Sequence, residues 1–199
     1  MSHPASRLRW LPCRLEPPAA RVRRFVATTA RVARISAAAC LVGLIACAPV
    51  RPTAPAVEFV IVRHAEKRSD GASDPRLTDA GSARALRLAK SLASAPVTAV
   101  YATSFQRTQL TAAPVAAGHG LTVTTYDAKQ AAARFAAMLR QRHANGTVLV
   151  VGHSNTVPDI AAALCQCAVT PMADDEYGRR LQVLVDASGK AVLTDTRLP

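Results

Sequence analysis

Two short segments of this chain put histidine and arginine where chemistry is expected. Arg63 and His64 close the apolar run 57–62, and Gly152-His153-Ser154-Asn155 follows a second apolar run, 147–151. Both runs read as buried strands. Open α/β sheets bind ligands beyond the carboxyl ends of their strands, so two histidines delivered there belong to one site. Arg107, in Ser104-Phe105-Gln106-Arg107-Thr108, adds a cation from a third segment. Arginine forks grip oxyanions, and a neutral imidazole is a nucleophile near pH 7. The set therefore implies an anion-binding, nucleophilic site.

The elements that would position these residues can be read from the pattern. Strand and helix signals alternate from Val57 onward. Thr78 reads as the N-cap of a helix whose period continues through Ala83, Leu86, Ala89-Lys90 and Leu92-Ala93. A strand at 97–101 precedes a helix capped by Thr103 or Ser104, and Gly118 and Gly120 bracket its end. A strand at 121–126 leads to an alanine-rich helix at 128–143 with Phe135, Met138 and Leu139 inward. Asn145-Gly146 turns into the strand at 147–151, and Pro158 suits the first turn of the next helix. Segments 180–185 and 191–196 read as a hairpin. The expected fold class is α/β: a three-layer α/β/α sandwich with a mostly parallel central sheet and a C-terminal hairpin.

Charge separates the N-terminus from the rest. The net charge is +12, yet eight arginines and one glutamate precede Cys47. The high pI is thus largely an N-terminal property. No basic cluster with interleaved aromatics follows, which argues against nucleic acid as a partner. Residues 35–50 are free of charge, too short for a spanning helix, and follow the arginine-rich stretch as a signal peptide would. Leu44-Ile45-Ala46-Cys47 resembles a bacterial lipobox, whose cysteine thiol accepts the lipid. The expected organisation is a signal at 1–47, a tether at 48–56 and a folded domain at 57–199. The expected location is the cell envelope, periplasm-facing and lipid-anchored through Cys47. A plain N-terminal anchor and a soluble periplasmic protein are the alternatives. Cys165 and Cys167 read as two small core or loop residues, because a Cys-x-Cys disulfide closes a very tight loop. A thiol pair or a weak metal site there is the alternative, nothing else resembles zinc-ligand spacing, and no cofactor is expected.

Taken together, Val62-Arg63-His64-Ala65-Glu66, Ser104-Phe105-Gln106-Arg107-Thr108 and Val151-Gly152-His153-Ser154-Asn155 resemble the histidine phosphatase superfamily, of the phosphoglycerate mutase-like clan, in a compact form. Leu77-Thr78-Asp79-Ala80-Gly81 resembles that family's helix start. The resemblance implies a nucleophilic His64 that is phosphorylated in turnover. It implies a phosphate pocket from Arg63, Arg107 and His153, with Ser154 beside it. The expected activity is metal-independent hydrolysis of phosphomonoesters, on a small molecule or on an envelope or protein phosphate. Two alternatives are a phosphohistidine protein phosphatase and a non-catalytic lipoprotein that binds phosphorylated ligands. The pattern thins at the general acid. Asp127, at a strand end, is the first choice, Glu66, two residues past His64, is the second, and the alternative is that no carboxylate serves. Asp159 reads as a helix-dipole charge, and Asp70 is expected to point away from the phosphate.

Overall fold

The computed structural model describes residues 56–197, so the expected signal, its Cys47 and all of the expected tether but Ala56 lie outside the described residues. The elements run β1 (Val57–Arg63), α1 (Asp79–Ser91), β2 (Val97–Thr103), α2 (Gln106–Gly118), β3 (Val123–Tyr126), α3 (Ala132–Arg142), β4 (Gly146–Gly152), α4 (Val157–Cys165), β5 (Arg179–Val185) and β6 (Ala191–Arg197). They form one six-stranded sheet in the order β3-β2-β4-β1-β5-β6. The first four strands in that order are parallel, and the β5–β6 hairpin extends the sheet antiparallel from β1.

Side chains alternate between the two faces of the strands. Phe59, Ile61, Val148 and Val150 point to the face covered by Phe135 and Leu139 of α3 and Ile160 and Leu164 of α4. Val60, Val62, Leu149 and Val151 point to the other, under Leu88 of α1 and Val115 of α2. Both faces of the central strands are dry, which is why 57–62 and 147–151 are continuous apolar runs. The expected three-layer sandwich with its hairpin is the observed fold.

Register matters most for function. Arg63 sits opposite Gly152, Ala102 opposite Val151, and Thr103 opposite Tyr126. The carboxyl ends of four parallel strands therefore lie level. The Thr78 cap forms as expected, its hydroxyl accepting from the Gly81 amide at 3.0 Å. Gly81 is required there, because a Cβ would collide with the backbone of Glu66.

Three local expectations are corrected. Neither Thr103 nor Ser104 caps α2: β2 runs on to Thr103, and the carboxylate of Asp74 accepts the Gln106 amide at 3.1 Å instead. The helix expected from 128 begins at Ala132. The Asp127 carboxylate accepts the Lys129 amide at 2.9 Å, and this local turn competes with helix. Cys165 and Cys167 are disulfide-bonded. Gln166, which ends α4, adopts a left-handed conformation with φ 53° and ψ 41°, and this reversal brings the two Cα atoms within 5.2 Å.

Candidate active site

His64 follows β1 and is buried at 3% exposure. Its own amide donates to the Gly152 carbonyl at 2.9 Å, so the β1 and β4 ends are tied across the site. Its Nδ1 lies 2.8 Å from the Ala65 carbonyl. A carbonyl only accepts, so Nδ1 carries the proton and Nε2 keeps its lone pair. The Ala65 amide in turn donates to the Thr111 hydroxyl at 3.0 Å, which fixes the loop from α2. Burial lowers the His64 pKa to about 4; the Ala65 hydrogen bond opposes this, and Arg63, His153 and Arg107 add to it. The ring is neutral at physiological pH.

His153 follows β4, one residue past Gly152. A Cβ on Gly152 would crowd the Thr156 and Tyr126 hydroxyl oxygens at 2.9 Å, so this turn needs glycine. The His153 amide donates to the Thr156 hydroxyl at 3.0 Å. Its Nε2 pairs with the Thr103 hydroxyl at 3.1 Å, and that hydroxyl pairs with Thr108 at 2.8 Å. This leaves Nδ1 as the nitrogen available to a ligand. Burial, then Arg107 and Arg63, lowers the His153 pKa to about 4. The His64 and His153 ring centroids are 5.5 Å apart, and Phe105 stands edge-on to His153 at 5.3 Å.

Two guanidinium groups flank these rings. Arg107 lies over the Phe105 ring at 4.2 Å, with Nη1 3.5 Å from the Asp74 carboxylate. Arg63 lies over the Tyr177 ring at 4.3 Å, and its Nη1 donates to the Ala173 carbonyl at 3.0 Å. The Nε–H groups of both arginines are buried without a partner, as are those of Arg140 and Arg180 elsewhere. A buried unpaired donor is costly.

A cavity of about 370 Å³ is lined by His64, Arg107, His153 and Ser154 among the expected residues, with Lys67, Phe105 and Lys129. Arg63 stands beside it against Tyr177. Ser154 donates to the Asp174 carboxylate at 2.8 Å. The structure does not bring the expected acids into the cavity. Asp127 is exposed and holds the turn into α3. Glu66 is paired with Arg84 at 2.6 Å, and that partner holds its pKa below the ordinary range, the reverse of what a proton donor needs. Asp159 lies in the first turn of α4, as a dipole charge would. Asp70 is exposed and accepts the Ala72 amide at 3.2 Å. Among the described residues, no group of three or more His, Cys, Asp or Glu side chains could hold a metal ion.

The sequence reading missed Thr111, Asp74 and Tyr177, and it gave Thr103 a different role, as a helix cap. The residues that tie them to the site, His153, Ala65, Gln106 and Arg63, lie 32 to 114 positions away in the chain, beyond any local pattern.

Comparison with known proteins agrees with this geometry. Residues 59–130 match the model of the histidine phosphatase superfamily, branch 1. No curated protein matches the sequence. The structure is similar to that of the protein histidine phosphatase SixA complexed with tungstate, at 23% identity and TM-score 0.57, covering 70% of this chain and 96% of that one. A putative phosphohistidine phosphatase SixA from Nakamurella matches at 22% identity and TM-score 0.56, covering 74% and 99%. A mycobacterial glucosyl-3-phosphoglycerate phosphatase matches at 15% and 0.57, covering 72% and 100%. These likenesses establish the fold, and the family match covers the segment that carries His64 and Arg107.

Proposed function

We propose that this histidine phosphatase domain removes phosphoryl groups from leaving groups that depart without a proton from a carboxylic acid. Aryl phosphates and phosphohistidine are of this kind, and simple alkyl phosphates are not. The observation that carries the reading is the lining of the cavity: it holds a neutral His64 and cations, and no carboxylate.

The chemistry follows from the residues. Arg63 and Arg107 hold the phosphoryl oxygens and match the two negative charges of the group. The lone pair on His64 Nε2 forms the N–P bond as the bond from phosphorus to the leaving group breaks, and the leaving group takes the electron pair. The Ala65 carbonyl, accepting from Nδ1, stabilises the positive charge that develops on the ring. Water then attacks the phosphohistidine, releases inorganic phosphate and restores the neutral ring. His153, oriented by Thr103, is placed to donate to a phosphoryl oxygen. The arginines supply the charge neutralisation that a metal supplies elsewhere.

Leaving-group dependence tests this. The enzyme should hydrolyse aryl phosphates and phosphohistidine peptides at least a hundredfold faster, in kcat/KM, than an alkyl phosphate. Asp127→Asn should change aryl and alkyl rates alike and by less than about twofold. Comparable rates on alkyl and aryl phosphates would reveal an acid that this reading denies. A selective loss on alkyl phosphates in Asp127→Asn would identify it as Asp127.

Export and lipid anchoring at Cys47 are part of the same proposal. Their support is the arginine-rich, apolar and lipobox-like order of residues 1–47.

A further inference from the structure

We propose that Lys67 and Lys129 select substrates whose leaving group carries a second anionic group, a carboxylate or phosphate, beside the scissile phosphoryl. The inference rests on the phosphatase reading above and names the substrate class that this site favours.

Charge matching is the first argument. Arg63 and Arg107 already balance the two negative charges of one phosphoryl group. Lys67 and Lys129 line the same cavity, so its positive charge exceeds what that group needs. No carboxylate lies among the lining residues, and Asp74, 3.5 Å from Arg107, offsets only one charge of the excess. A second anion on the substrate would.

The other cations nearby are engaged, and these two are not. Arg84 is held by Glu66, Arg107 faces Asp74, and Arg63 is tied to the Ala173 carbonyl. Neither lysine ammonium makes an ion pair among the described residues. Yet the backbone of each is fixed. Lys67 forms an isolated antiparallel bridge with Leu77, and the Lys129 amide donates to the Asp127 carboxylate. Both ammonium groups are thus free heads on anchored stems, and Phe105 and Ala128 provide an apolar wall in the same cavity. A short or planar leaving group bearing a charge at its far end fits that layout.

The test compares phenyl phosphate with 3-carboxyphenyl phosphate, whose phenolate leaving groups are similar in basicity, using the full chain. At low salt the carboxylated compound should be preferred by roughly tenfold in kcat/KM, since two exposed charge contacts are each of modest worth. The preference should decay with added NaCl. It should fall toward one in the Lys67→Ala Lys129→Ala variant and survive in Lys67→Arg Lys129→Arg. A wild-type ratio near one at all salt concentrations would overturn the inference and leave the phosphatase reading standing. So would a ratio unchanged in the double alanine variant. Hydrolysis of neither compound would remove both.

Discussion

Acid should destabilise this domain before its carboxylates begin to titrate, because it buries two neutral histidines. His64 and His153 fall from an ordinary 6.5 to about 4 in the fold, chiefly through burial, with Arg63 and Arg107 nearby. On unfolding both rings recover the ordinary value. Between pH 6.5 and 4 the unfolded chain therefore binds protons that the folded chain refuses. Stability is complete above that window and falls as pH drops through it. At pH 5, relative to pH 7.5, each ring costs about 2 kcal/mol if these values are taken in full, or about 4 kcal/mol for the pair. His153 is only partly buried and water screens it, so a loss of ~3 kcal/mol is expected. His143, also lowered by burial, adds in the same direction. The Glu66 pKa is held below its ordinary 4.5 and acts at lower pH. Urea denaturation reads the effect: with a slope of about 2 kcal/mol per molar, the midpoint should drop by about 1.5 M from pH 7.5 to pH 5. The His64→Asn His153→Asn variant should lose most of that drop. Equal wild-type midpoints at the two pH values, or the same drop in the double variant, would refute the reasoning.

Other outcomes follow from the same contacts. Thr103→Val removes the hydroxyl that orients His153; kcat/KM should fall roughly tenfold to a hundredfold, with recovery in Thr103→Ser, and a rate within twofold of wild type would deny Thr103 that role. Gly81→Ala gains about 1 kcal/mol of helix propensity but forces a Cβ into the Glu66 backbone, and overpacking costs more. A net loss of about 1–2 kcal/mol, a few degrees in melting temperature, is expected, and a raised melting temperature would contradict it. Cys47→Ser should move the protein from the membrane to the soluble fraction of a bacterial host, and unchanged membrane association would count against lipidation.

Much of the site was legible because its main residues announce themselves locally. Arg63, His64 and His153 each end an apolar run long enough to be a two-sided buried strand. The parallel register then has little choice but to set them side by side. The expected acids stay out of the cavity for a physical reason. A carboxylate near a catalytic residue in sequence reveals nothing of its partner, and Glu66 is claimed by Arg84, 18 residues on. Asp127 sits at a strand end as expected, but a short polar side chain there bonds its own backbone more readily than it reaches a cavity. Thr103 or Ser104 reads as a cap because a hydroxyl residue after a short apolar run is a cap signal, whereas the strand continues two residues further, to Thr103, and turns its hydroxyl onto His153. The disulfide depended on a left-handed Gln166, a conformation that glutamine does not advertise.

The central claim is that His64 carries the phosphoryl group in turnover, and trapping that intermediate tests it most directly. The full chain would be mixed with a 32P-labelled aryl phosphate in EDTA, quenched within milliseconds in base, and assayed for protein-bound label. Label that survives base, is released by acid and is absent from His64→Ala is the result expected of a phosphohistidine at this position. Turnover without bound label, or label and turnover persisting in His64→Ala, would contradict it.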